Sequence, residues 1–470
     1  MKYSKILAFL MVICISFILV SCGADVKDPN GNDDTDKTEN PEIEAVDLDG
    51  YNFIIRAMMR GEGKYQLMPD PVEATLLEEK LLEHYAAISE KFNCSITVEK
   101  GDGWTTKLNA ATAVGDKFAD VIDGWLQEGF PLVFSGRLLS LEEFSVFDDL
   151  YSGKWGNKNF LDTMTYGDKH YGFISGYWGL PTPQFGSVLY FNPSLLSQFN
   201  QPDPHEIIEN KGWKWDVFRK ICEDIYYLDD EGKPAGSINI TNQEYVMKAA
   251  LQSNNVPFAK KDETGRYIYN LNSPEAIDSM EWVRSCVESK AFIADRNKKS
   301  ANIDETFIGG LTAFTVQWSY HGTTDRDSII YNMESEFNWA PFPAGPNATY
   351  GQWGGAISHG TRYFFIPLSA MDEEENFNIL VNALFEPFDG MNKTDWRDLF
   401  GRQVFFKPMD QQIYFEMYET ATYDFTGMIT FPAFENIQKG IVTATAASDK
   451  VEKQSQASLD KSINAFLDIE

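Results

Sequence analysis

The chain has 470 residues, with 40 Lys and Arg against 70 Asp and Glu, a formal charge of −30. The length fits two or three domains at roughly 150 residues each, and 43% hydrophobic with 23% charged residues is the composition of a globular protein with sizeable cores. The acidic balance argues against nucleic acid, whose phosphates need Lys and Arg, and against broad docking onto anionic lipid.

The first residues, MKYSKILAFLMVICISFILVSC, carry Lys2 and Lys5 ahead of an apolar run from Ile6 to Val20. This reads as a secretory signal, too short for a membrane span. It ends in Leu19-Val20-Ser21-Cys22, which resembles a bacterial lipobox, with residues 1–21 removed and Cys22 lipidated. Residues 22–47 are polar and acidic, without helix or strand period, and read as a disordered tether. Past the signal the sequence has no run of eighteen apolar residues, so any transport pore is expected to be another protein. Cys94, Cys222 and Cys286 form neither a metal nor a redox motif; all three are expected as buried free thiols.

In chain order, Tyr51–Met58 reads as a strand, Thr75–Phe92 as a helix and Ser95–Glu99 as a strand of period two. Thr105–Val114 follows as a helix and Ala119–Ile122 as a short buried strand. This β-α-β-α-β order implies a mainly parallel sheet covered by helices, with ligands beyond the strands' carboxyl ends. The loops after Met58, Glu99 and Ile122 are therefore the ones to watch. A second α/β block starts near Tyr171. Tyr171–Ser175, Ser187–Phe191, Leu311–Gln317 and Asn338–Phe342 read as strands, and Lys214–Leu228, Glu244–Gln252 and Pro274–Ser289 as helices. A strand-then-helix pattern returns over Phe364–Phe385. No repeat of fixed period is present.

Five landmarks then fall in order: ADVIDGW (119–125) with FSGRLLSLEEF (134–144); GDKHYGF (167–173) with VLYFNPSLL (188–196); KGWKWDVFRKICEDI (211–225); FIGGLTAFTVQWSY (307–320); and FNWAPFPAGPN (337–347). Together they resemble family 1 extracellular solute-binding proteins of ABC importers, the group of maltose-binding protein. There are departures. Phe173 and Ile174 follow Tyr171-Gly172 where the family has Pro, QFNQPDPHEIIENKG (198–212) is an insertion, and Gln317 replaces the Gly before Trp318. The resemblance implies an α/β, two-lobed periplasmic-binding-protein-like fold of type II, with a ligand cleft between lobes joined by crossover segments. Lobe 1 would be 48–173 plus 346–386 and lobe 2 174–345 plus 387–470, closing by a hinge. It also implies a carbohydrate ligand, an oligosaccharide ahead of a monosaccharide, a modified glycan, a polyol or a non-sugar solute, and permease subunits of an ABC transporter as partners. The protein would be a lipid-anchored monomer on the outer face of the cytoplasmic membrane, with no cofactor, no metal and no enzymatic activity.

Sugars present flat CH faces and a rim of hydroxyls, so a site needs aromatic plates beside planar polar groups. By the resemblance Trp125 and Glu128 contact ligand, with Asp123 beside them, and Trp318 and Tyr320 stack on the sugar. Trp353 in YGQWGG and Tyr177 with Trp178 lie near crossovers; Arg60 and Glu62 follow the first strand. All ten are candidate ligand contacts. Trp213, Trp215, Phe218, Trp282 and Trp396 read as core. Two other readings are a ligand-presenting sensor for a membrane receptor and a surface glycoside-active enzyme with two carboxylates about 5–10 Å apart. Five His without H-E-x-x-H spacing argue against a zinc site, and neither G-x-S-x-G nor a Walker sequence is present.

Overall fold

A computed structural model describes residues 44–57, 67–72, 74–101, 104–176, 183–240, 243–294, 305–323, 333–388 and 391–467. The elements in chain order are β1 (Tyr51–Ala57), α1 (Leu76–Phe92), β2 (Cys94–Lys100), α2 (Trp104–Val114), β3 (Val121–Trp125) and α3 (Leu126–Phe134). After two short strands at Thr165–Tyr166 and Lys169–His170 come β4 (Val188–Phe191), α4 (Trp215–Asp224), β5 (Pro234–Asn239) and α5 (Gln243–Ser253). Next are α6 (Pro274–Glu288), β6 (Phe292–Ile293), β7 (Thr312–Gln317), β8 (Asn338–Pro341), β9 (Ala356–Ile357) and β10 (Arg362–Phe365). The chain closes with α7 (Glu374–Leu384), α8 (Pro408–Thr420), β11 (Thr422–Tyr423) and α9 (Ala444–Lys461).

The strands build two main sheets. The first runs β10-β3-β1-β2, with β1 parallel to both β2 and β3 and β10 antiparallel to β3. Helix α1 starts where Thr75 and Glu78 form a reciprocal capping box and stops at Asn93, in left-handed conformation with φ 45°. The second sheet runs β6-β5-β7-β4-β8; β5 is parallel to β6 and β7, while β4 is antiparallel to β7 and β8. Its strands are buried throughout: all residues of β4, β7 and β8 lie in the core, which is why their sequences read as apolar runs rather than alternations. Between the sheets β9 pairs in parallel with β11, and Gly186 bridges to Ala356, so three separate stretches of chain run side by side.

Several boundaries differ from the sequence reading. β3 starts at Val121, because the Asp120 carboxylate turns inward to accept the Ile54 N–H at 2.7 Å. Tyr171–Ser175 is no strand. Only Phe173 pairs, with Phe364, while the Ile174 and Gly176 N–H groups donate to the carbonyls of Trp155 and Lys154. Helix α4 ends at Asp224 rather than Leu228, and Tyr227–Leu228 turns back as a short strand on β5. That reversal packs the Ile225 carbonyl against Gly236, whose φ of +98° and missing Cβ permit the approach. Strand β5 and helix α8 have no counterpart in the sequence reading. Cys222 and Cys286 are buried free thiols, but Cys94 is half-buried at a sheet edge.

The core aromatics are placed as expected. Trp213 is fully buried and its indole N–H donates to the Pro341 carbonyl at 2.8 Å. Trp215 stacks on Trp282 at 4.2 Å between ring centroids, and Phe218 and Trp396 are buried. Among the described residues no helix is long and apolar enough to cross a membrane.

Candidate functional site

Trp318 is the first residue after β7 and has extended backbone, φ −77° and ψ 151°. Its carbonyl accepts the Tyr190 hydroxyl at 3.0 Å. The next residue is locked to the start of β4: Ser319 N–H donates to the Phe185 carbonyl at 2.8 Å, and Phe185 N–H donates to the Ser319 Oγ at 3.1 Å. The indole lies against two glycines; a Cβ on Gly186 would sit 3.9 Å from the ring and one on Gly360 3.6 Å from it. The ring is half-buried, with Tyr320 6.3 Å away between centroids.

Trp318 lines a cavity of about 240 Å³. The ends of β4 and β7 supply Ser187 and Gln317, the first turns of α5 supply Glu244, Tyr245 and Lys248, and the segment after β9 supplies Ser358 and His359. Asp424, Thr426 and Phe431 complete the wall beyond β11. The charges are largely answered within the site. Lys248 Nζ is 3.6 Å from Glu244, donates to Thr426 Oγ1 at 3.3 Å and lies 4.1 Å over the Phe431 ring. Asp424, 2% exposed, accepts the Ser358 hydroxyl and, at 2.9 Å, the Thr426 N–H. Burial pushes the His359 imidazole below its usual range, against the pull of Asp424, so the ring is neutral near pH 7. Two buried polar atoms in this wall have no hydrogen-bond partner among the described residues: Gln317 Oε1, on a residue 3% exposed, and His359 Nδ1. A flat indole beside a carbonyl oxygen and a ring nitrogen without partners, with compensated charges, suits an uncharged ligand bearing hydroxyls, which donate or accept. Among the described residues no group of three or more His, Cys, Asp or Glu is placed to hold a metal ion.

Of the residues singled out from the sequence, Trp318 lines this cavity and Tyr320, two residues on, does not. Trp125 is the last residue of β3, paired with Arg362 and half-buried. Glu128 accepts the Trp125 N–H at 3.3 Å and so caps α3. Their turn is tied to the cavity wall, since Gln127 N–H donates to the His359 carbonyl at 3.0 Å and Leu126 N–H to the Thr361 carbonyl at 2.8 Å. Asp123 is fully buried and holds Arg362, whose Nε donates to its Oδ1 at 2.9 Å. Trp353 is 3% exposed, donates to Glu416 Oε2 at 2.8 Å and packs edge-on against Tyr350. Trp125, Glu128, Asp123 and Trp353 do not line the 240 Å³ cavity. Arg60, Glu62, Tyr177, Trp178 and Cys22 lie outside the described residues.

Sequence reasoning missed Glu244, Tyr245, Lys248, Gln317, Ser358, His359, Asp424 and Phe431. For the α5 residues a signal existed. They follow β5, and the carboxyl-end rule points to them once that strand is recognised. His359 and Asp424 are joined only by the pairing of β9 with β11, which has no local signature.

The family described as "Bacterial extracellular solute-binding protein" matches residues 77–370. No curated protein matches the chain. Solved structures do match in fold. A cyclo/maltodextrin-binding protein complexed with maltotetraose has a TM-score of 0.60 at 14% identity, covering 87% of this chain and 97% of its own. The cyclic alpha-maltosyl-1,6-maltose binding protein of Arthrobacter globiformis has a TM-score of 0.60 at 14% identity, covering 88% and 100%. UgpB of Mycobacterium tuberculosis, in complex with glycerophosphocholine, has a TM-score of 0.55 at 17% identity, covering 88% and 99%.

Proposed function

Since the chain belongs to the bacterial extracellular solute-binding proteins, we propose that it captures a carbohydrate, an oligosaccharide, in the interlobe cavity at Trp318 and delivers it to an ABC permease. The observation that carries this reading is the cavity wall: an indole plate beside Gln317 and His359, whose buried polar atoms await partners. Neighbours of the same fold that hold maltotetraose and mannotriose support a sugar ligand. Those with ribitol and glycerophosphocholine make polyols and their phosphodiesters the competing classes.

In this account the lobes are 48–173 plus 346–386 and 174–345 plus 387–470; each main sheet draws its strands from one of these sets, which supports the division. The sugar lies on Trp318 and Tyr320, and hinge closure brings Trp125 and Glu128 onto its other face, with Arg60, Glu62, Tyr177 and Trp178 completing the surround; Trp353, buried against Tyr350 and Glu416, packs behind the site. Asp123 acts by orienting Arg362. Cys22 carries the lipid, and the acidic tether keeps the lobes clear of the membrane so that they reach the permease. The protein performs no chemistry on its ligand and works as a monomer.

The test is a thermal-shift panel of oligosaccharides, monosaccharides, polyols and glycerophosphocholine. A ligand at 100 times its Kd stabilises the folded state by about 2.7 kcal/mol. The account expects a sugar to give the largest shift, without product, and Trp318→Ala to abolish it. A shift with glycerophosphocholine alone, or a sugar shift untouched by Trp318→Ala, contradicts it.

A further inference from the structure

Behind the β9–β11 pair lies a second and larger cavity of about 680 Å³, inside the roughly 300–1,000 Å³ range of ligand pockets. The chain after β11 separates the two. Asp424 and Thr426 face the Trp318 cavity, while Thr422, Tyr423 and Phe425 face the rear one, Phe425 in left-handed conformation with φ 54°. One wall of the rear cavity comes from Tyr151 and residues 159–170, and the other from Lys261, Tyr267 and Ile463.

Its aromatic surface is continuous. Phe425 lies 4.7 Å from Tyr423 and 5.0 Å from Tyr267 between ring centroids. Tyr267 is held rigidly: Asn464 accepts its N–H and donates to its carbonyl, both at 2.8 Å. Opposite, Tyr151 donates to Asp162 Oδ1 at 2.9 Å and sits 2.9 Å from His170 Nε2. The charged lining is mixed in sign, with Asp162 and Asp168 beside Lys261 and the His170 imidazole; Asp162 pairs with Lys158 at 2.6 Å, His170 contacts Glu142 at 2.7 Å, and Lys261 Nζ lies 5.2 Å from the Tyr267 ring centroid. A wall of both signs favours no strongly charged ligand. One feature points to an occupant. The Tyr423 hydroxyl is buried in this wall with no hydrogen-bond partner among the described residues, a state that costs free energy until something fills it.

We propose that the rear cavity is a second ligand site, taking a neutral polyhydroxylated ring that stacks on Tyr267 and Phe425 and hydrogen-bonds the Tyr423 hydroxyl. Its chemistry is that of an uncharged sugar, and it operates independently of the Trp318 cavity.

The experiment is calorimetric titration of the protein with maltotriose and with mannotriose, for the wild type, Trp318→Ala, and Trp318→Ala combined with Tyr423→Phe or with Tyr267→Ala. A binding event is expected to persist in Trp318→Ala, to weaken about three- to tenfold on adding Tyr423→Phe, and to be lost on adding Tyr267→Ala. Tyr423→Phe removes only an unpartnered hydroxyl, so it remains informative if Tyr267→Ala fails to fold. Loss of all binding in Trp318→Ala overturns the rear site while leaving the cleft reading intact. A residual event unchanged by Tyr423→Phe overturns it too. Wild-type binding that ignores Trp318→Ala but responds to the tyrosines supports the rear site and contradicts the cleft. No binding of either sugar to any variant overturns the rear site as a site for such rings.

Discussion

Gln317→Met separates the cost of the site from its use. Gln317 ends β7, opposite Val188 on β4, and is 3% exposed with Oε1 unpartnered. An unsatisfied buried carbonyl costs about 1–3 kcal/mol. Methionine nearly matches its volume and flexibility without that oxygen, so the free variant gains on the order of 1 kcal/mol. For so large a chain that raises Tm by about 2 °C or less. Ligand binding moves the other way. Losing one neutral hydrogen bond worth about 0.5–1.5 kcal/mol weakens affinity roughly two- to twelvefold. The assays are differential scanning calorimetry of the free protein and isothermal titration with the sugar selected by thermal shift. Opposite signs in one variant are the prediction. A lowered Tm, or an unchanged Kd, refutes the argument that this oxygen is kept open for ligand.

Arg362→Met strands the fully buried Asp123 carboxylate and is expected to cost about 3–5 kcal/mol, read as a lowered urea midpoint; an unchanged midpoint contradicts the pairing. Asn464→Ala frees the Tyr267 N–H, while the Tyr267 carbonyl keeps the Gln456 Nε2 donor at 3.1 Å. It should destabilise by about 1–3 kcal/mol and raise hydrogen exchange at the Tyr267 amide, and unaltered exchange there would sink the idea. For His359 the burial that lowers its folded-state pKa means that the unfolded chain, titrating near about 6.5, takes up the proton first. Stability therefore declines as pH falls below that value. The Tm of the wild type should drop more steeply between pH 7 and pH 5 than that of His359→Gln, and parallel slopes would refute the assignment.

The parts of the fold legible in the sequence are those with local causes. Thr75 and Glu78 announce the start of α1, and buried strands such as Val188–Phe191 stand out as apolar runs. Trp318, singled out by the family resemblance, follows one such strand and lines the cavity. Trp125 was expected in a loop, yet it is the last residue of β3, held there by antiparallel pairing with Arg362 some 240 residues away. Glu128 looked like a free acid and is a helix cap. Trp353 was a candidate ligand contact near a crossover, but it is buried and a side chain of α8, Glu416, fixes its indole N–H. The polar half of the cavity was illegible for the same reason: His359 and Asp424 meet only through the pairing of β9 with β11.

The most direct test of the central claim is a crystal structure of the protein with the sugar that gives the largest thermal shift. The account predicts a pyranose ring stacked on the Trp318 indole, with hydroxyls within hydrogen-bond distance of Gln317 Oε1 and His359 Nδ1. A sugar bound elsewhere, with the Trp318 cavity empty, would contradict it.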